Sequence, residues 1–228
     1  PVTEPTDDRE PASSPCQAPP GYWGEDEAPP LTECEWLACP DPLRMLEFLR
    51  YAGTATDRKL RLFAVACSRR ARDRADALGR AAADVAEAFA DGEAGAAALR
   101  AARLACRSAG PSAAWYAAAT DPHVAARNAA LSAQSGNPGE GPAQAELLRD
   151  VFGNVFRPPA FDDAWRTPEV VALARNIYDE RRFADLPALA EALRRAGCGE
   201  EEILRHCREQ GRSHTRGCWV VDLVLGRG

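Results

Sequence analysis

Lysine is almost missing from this chain. Lys59 is the only one among its 28 basic residues, so positive charge is carried by arginine. Long apolar runs are missing too. None approaches the roughly 18 residues of a spanning helix, which excludes a transmembrane segment of that kind. The opening stretch PVTEPTDDREPASSP is acidic and proline-rich. That is the opposite of a basic start followed by an apolar core, so it does not read as a secretory leader. There is no phosphate-binding Gly loop, no nucleophile elbow and no His-Glu-x-x-His stretch, and each absence removes a familiar enzyme class. A second convincing strand is lacking as well, so the chain offers nothing to build a sheet from.

The net charge of −6 belongs to residues 1–30. Seven acids there (Glu4, Asp7, Asp8, Glu10, Glu25, Asp26 and Glu27) face Arg9 alone, and eight prolines leave only Tyr22 and Trp23 to bury. Such a segment cannot offset its ordering entropy, and a disordered tail is expected. The remaining acids and bases balance. A neutral body with an acidic tail argues against a dedicated nucleic-acid binder. The eight cysteines are scattered well below the density of a disulfide scaffold. Without a leader they point to reduced thiols and a cytoplasmic location.

Beyond the tail the pattern is helical. Thr32 and Glu35 form a capping box ahead of Trp36. Pro42 opens a helix that carries Met45, Leu46, Phe48 and Leu49 on a broad apolar face and ends at Gly53. The clearest core helix follows Thr56, with Leu60, Phe63, Ala64, Cys67 and Ala71 on one stripe. Leu62, Val65 and Ala66 widen that stripe, so cover from more than one side is expected. Arg58, Lys59, Arg61, Arg69, Arg70, Arg72 and Arg74 fill the remainder, and because Asp57, Asp73 and Asp76 interrupt them they read as a solvated, salt-bridged face rather than a nucleic-acid one. Leu78 to Ala133 is alanine-rich, and QSGNPGEGP (134–142) is the one internal Gly/Pro-rich linker. The valine-rich end, CWVVDLVLG, places Trp219, Val220, Leu223 and Val224 on a helical face and reads as a helix. The expected fold is all-α, a compact array of about nine to eleven short helices in two packed sub-bundles. These sub-bundles would span 31–133 and 142–228, after the 1–30 tail.

The pieces TECEWLACPDPLRMLEFLR, TDRKLRLFAVACSRR, LLRDVFGNVFRP, NIYDERRFADLPALAEALRRAGC and HTRGCWVVDLVLG resemble an uncharacterised bacterial protein family. The resemblance covers most of residues 32–226 and skips the alanine-rich middle. It implies no activity, because no function is established for the family.

Chemistry-bearing side chains gather at the C-terminal end. Cys198, Cys207, His214 and Cys218 supply three thiols and one imidazole within 21 residues, a zinc-preferring set, with His206 as a substitute. Their spacing lacks the close cysteine pair of strong zinc motifs. Each cysteine also has an ordinary structural account: Cys198 follows Gly197 at a helix-ending cap, Cys207 lies one turn after Ile203, and Cys218 adjoins Trp219. Cys34 and Cys39, five apart, would diverge on one helix. Among the acids, Asp150, Asp179, Glu180 and Asp222 are candidates for chemistry. Asp222, inside VVDLVL, must be paired or face water, with Arg216 or Arg181 as the expected partner. The functional expectation is a non-enzymatic interaction or regulatory module within a larger assembly, partnered by another protein and not by a membrane. The alternative is a small zinc-binding domain that contacts nucleic acid through Arg205, Arg208, Arg212 and Arg216.

Overall fold

The computed structural model describes residues 31–71, 75–209 and 211–227. Among them are twelve α-helices, ten of seven or more residues, and no strand. The 1–30 tail lies outside the described residues. None of the helices is long and apolar enough to cross a membrane.

Local signals start the helices. Thr32 and Glu35 close the capping box of α1 (Glu33–Ala38). Asp41 caps α2 (Pro42–Ala52), and Gly53 ends it in the left-handed region at φ 62°. Thr56 caps α3 (Asp57–Arg70), whose nine consecutive residues from Leu60 to Ser68 are all buried. A helix buried all round must be surrounded. α3 is packed by α4 (Ala77–Ala90), α6 (Ala113–Ala117), α7 (Pro122–Gln134) and α8 (Glu140–Phe152). Ala125, Ala126, Ala129, Ala130 and Ala133 are the buried residues of α7, and side chains this small let it lie close against α3. α5 (Ala96–Ala105) packs on α4.

The buried apolar residues form two clusters. The first runs from Leu31 to Phe152 and includes Ala145, Leu147, Leu148 and Val151 of α8. The turn between α7 and α8 therefore falls inside the chain segment that builds the first core, and the cores divide only after Phe152. The second cluster is built by α9 (Pro168–Glu180), α10 (Leu186–Arg195), α11 (Glu201–Arg208) and α12 (Trp219–Leu225).

Two expectations about charge are corrected. Arg61 is 2% exposed, and its guanidinium donates to the carbonyls of Ala117, Ala119 and Thr120 at the end of α6. Arg58 is also withdrawn from solvent. It holds Asp222 at 2.7 and 3.2 Å and also bonds Asp91 and the Tyr178 hydroxyl. Arg58 is thus the partner of Asp222, not Arg216 or Arg181. Those two reach Glu87 of α4 instead. The reason is topological: α12 packs its acid towards α3, a neighbour that sequence distance hides.

Candidate functional site

Where the two cores meet, four titratable side chains converge. Asp150 comes from α8, His206 from α11, His214 from the following loop, and Cys218 from the residue before α12. Their ligand-type atoms all lie within 4.8 Å of one another. The loop between α11 and α12 takes this path because two glycines permit it. Gly217 has φ 90°, and a Cβ there would stand 2.9 Å from Leu62 Cδ1. Gly153, at φ 67°, lies under the Trp219 indole. A side chain at Gly217 would require Leu62 to shift and would hold the backbone in a strained left-handed conformation.

Asp150 is completely buried, and its carboxylate is the hub. His214 Nδ1 lies 2.6 Å from Oδ1 and His206 Nε2 lies 3.3 Å from the same oxygen. The Thr215 amide donates to Oδ2 at 2.9 Å. Trp219 Nε1 donates to His206 Nδ1 at 3.1 Å, and Cys218 Sγ sits 3.2 Å from His206 Nε2. An indole N–H can only donate, so His206 Nδ1 carries no proton and its hydrogen is on Nε2, towards Asp150. His214 likewise presents Nδ1–H to the carboxylate. Each contact to Asp150 is then a donor meeting an acceptor.

The electrostatics agree with this proton arrangement. Burial pushes the Asp150 carboxyl up, but hydrogen bonds from His206 and His214 outweigh it and hold the group below its ordinary value. Burial pushes the His206 imidazole down, more than the Asp150 contact raises it, so it is neutral near pH 7. Burial, reinforced by Asp150, holds the Cys218 thiol well above its usual range. The resting node is one carboxylate, neutral His206 and a protonated thiol.

Of the four metal-type residues read from the sequence, the fold brings together His214 and Cys218. Cys198 and Cys207 stay outside the node. Cys198 completes a Schellman cap, its amide donating to the Leu193 carbonyl at 3.0 Å after Gly197 at φ 91°. Cys207 packs in the second core with 1% exposure, and burial drives its thiol up to about 12. Their places beside His214 and Cys218 are taken by His206 and Asp150. Asp150 carries a readable signal, since Leu147, Leu148, Val151 and Phe152 surround it in sequence. An acid within an apolar helical run must find a buried partner.

The node satisfies one half of what a metal centre needs. The donor set, two nitrogens, an oxygen and a sulfur, suits zinc. The spacing does not. Two ligands held at 2.0–2.2 Å from a tetrahedral ion stand about 3.3–3.5 Å apart, whereas His214 and Asp150 are separated by 2.6 Å. The Trp219 bond is a second obstacle. A neutral histidine bound through Nε2 must carry its proton on Nδ1, where it would face the indole N–H.

No family model, no curated protein and no solved structure matches this chain.

Proposed function

We propose that the protein is a non-enzymatic helical interaction module, one part of a larger assembly, which docks a segment of a partner protein in the groove beside α8 and α11. The buried node acts as a clasp that holds the groove's walls in place. The supporting observation is the make-up of this groove, about 610 Å³ in volume. Leu37, 51% exposed, and Trp219 give it an apolar lining. Four acids (Glu146, Glu201, Glu202 and Glu209) and four arginines (Arg149, Arg205, Arg208 and Arg212) also line it. Such balance suits a polypeptide with mixed side chains. A phosphate backbone would meet as many carboxylates as guanidinium groups, which argues against nucleic acid.

A photo-crosslinker placed at Leu37 tests this reading, with Leu104, 66% exposed on α5, as the control site. Position 37 should capture one discrete partner that position 104 does not, and Leu37→Glu should abolish its binding with the melting temperature unchanged. Partner binding undiminished by Leu37→Glu would refute the groove.

A zinc-binding reading is supported by the convergence of Asp150, His206, His214 and Cys218 within 4.8 Å. It requires displacing the protons on both imidazoles and the thiol and turning His206 away from Trp219. The clasp reading requires none of this. Zinc content of the purified chain separates the two.

A further inference from the structure

A second pocket, of about 340 Å³, shares no lining residue with the groove. Its polar lining is Arg69, Arg70, Arg181, Ser213, His214 and Thr215. Arg69 and Arg70 end α3, Arg181 follows α9, and the other three belong to the loop before α12. Each guanidinium is braced by an acid. Arg70 grips Glu140 through Nε at 2.7 Å and Nη2 at 3.1 Å. Arg181 grips both oxygens of Glu87, and Arg69 lies 3.1 Å from Glu87 and 2.9 Å from Asp84.

Bracing of this kind fixes a guanidinium while leaving some of its N–H groups without an acceptor. Arg70 Nη1 makes no hydrogen bond among the described residues. Arg69 Nε is buried and has no hydrogen-bond partner among the described residues. A buried donor without an acceptor is costly, and native proteins keep few of them. Charge points the same way: three guanidinium groups line the pocket, and Glu87, Glu140 and Asp84, which brace them, are not part of its lining. Arg181 is also the one non-glycine residue with positive φ among the described residues, at 54°. Left-handed backbone of that kind at a bulky residue is rare and clusters at functional sites. Finally, His214 uses Nδ1 on Asp150 and has no protein partner for Nε2 among the described residues.

We propose that this pocket binds a tetrahedral oxyanion, either inorganic phosphate or the phosphate group of a small molecule. Arg69, Arg70 and Arg181 supply charge-assisted donors, the Ser213 and Thr215 hydroxyls supply neutral ones, and His214 Nε2, whose ring proton is on Nδ1, accepts from a protonated phosphate oxygen. Guanidinium groups held from behind by carboxylates are suited to this task, because their planar forks match phosphate oxygens without reorganisation. The volume falls at the small end of ligand pockets, which fits a single phosphate-bearing group. The inference is independent of the partner groove.

Calorimetric titration of the full chain with inorganic phosphate tests it, with acetate as competitor and glycerol phosphate as a second ligand. One saturable site is expected, with acetate unable to displace phosphate. Arg70→Gln should weaken binding about tenfold or more. Because Arg70 also braces Glu140, a second variant guards against misfolding. Ser213 is exposed, so Ser213→Glu should melt like the wild type yet lose phosphate through charge repulsion. Tighter binding of glycerol phosphate would identify a phosphate ester as the ligand; equal binding would identify the phosphate group alone as sufficient. No saturable binding at millimolar phosphate, equal competition by acetate, or unchanged affinity in both variants would overturn the proposal.

Discussion

Asp150 stands out among single residues because three donors converge on a carboxylate with no solvent access. Truncating it to alanine strands two imidazole N–H groups and the Thr215 amide, at about 1–3 kcal/mol for each buried unpaired group. Asp150→Ala should therefore cost about 3–5 kcal/mol, read by urea unfolding. A loss below about 1 kcal/mol would mean that the node holds nothing together. The same contacts set a pH dependence. The folded-state value of His206 lies below its ordinary 6.5, so the unfolded chain takes up this proton first as pH falls. Its stabilising contribution is complete above about 6.5 and is lost as pH drops through the lowered folded value. Asp150, also lowered, adds a further loss only at more acid pH. Unfolding free energies measured between neutral and mildly acid pH should fall for the wild type and fall less steeply for His206→Gln. Parallel slopes would contradict the neutral assignment. Thiol chemistry gives a third reading. Cys34 is exposed, while burial raises Cys67, Cys207 and Cys218. Iodoacetamide should label Cys34 in the native chain and reach the other three only in denaturant.

At the scale of elements, α12 is held by contacts at both of its ends. Gly217 lets the chain pass against Leu62 at its start. Arg166 donates to the carbonyls of Leu223 and Val224 at its finish, at 2.8 and 3.0 Å. Gly217→Ala meets both a left-handed φ and a 2.9 Å clash, and should destabilise by more than the roughly 1 kcal/mol typical of strain at φ above zero. A melting temperature equal to the wild type would show that the loop relaxes freely. Caps and stripes of this kind are local, and the sequence displays them openly: Thr32 with Glu35, Thr56 before α3, Thr167 before Pro168. The node is legible only in part. His206, His214 and Cys218 lie within 13 residues and are visible as a group, but Asp150 is 56 residues upstream of His206. Only the packing of α8 on both cores joins them. The rule that flagged Asp222, an acid inside an apolar run, applies equally to Asp150 with Leu147, Leu148, Val151 and Phe152 around it. Arg69 and Arg70 of α3 do form ion pairs at the surface, but Arg58 and Arg61 depart from the expected face for a related reason. Asp57, Asp73 and Asp76 interrupt the basic run and suggest a solvated face, whereas Arg58 finds its acids at Asp91 and Asp222, far along the chain.

For the whole molecule, the two cores are joined by polar contacts as well as by apolar ones. Glu87 and Asp91 at the end of α4 bind Arg181, Arg216 and Tyr178 of the second half, and Arg58 of the first half binds Asp222. These acids are nearly inaccessible, so losing one partner leaves a buried charge. Asp222→Ala should cost about 1–3 kcal/mol, because Arg58 loses its two-point grip on Asp222 but keeps Asp91. Coupling of this strength makes the cores unfold together. Fluorinated tryptophan signals from Trp36 in the first core and Trp219 in the second should melt at one midpoint, and separated midpoints would show two independent units. The central claim remains that the Asp150 node joining these cores is a hydrogen-bonded clasp filled by protons. The most direct measurement is zinc content of the purified full chain by mass spectrometry, paired with its melting temperature with and without a chelator. The clasp predicts substoichiometric zinc and no change in melting. One zinc per chain, lost in Cys218→Ala and in Asp150→Ala and accompanied by chelator-induced unfolding, would contradict it, because binding energy in such a site is folding energy.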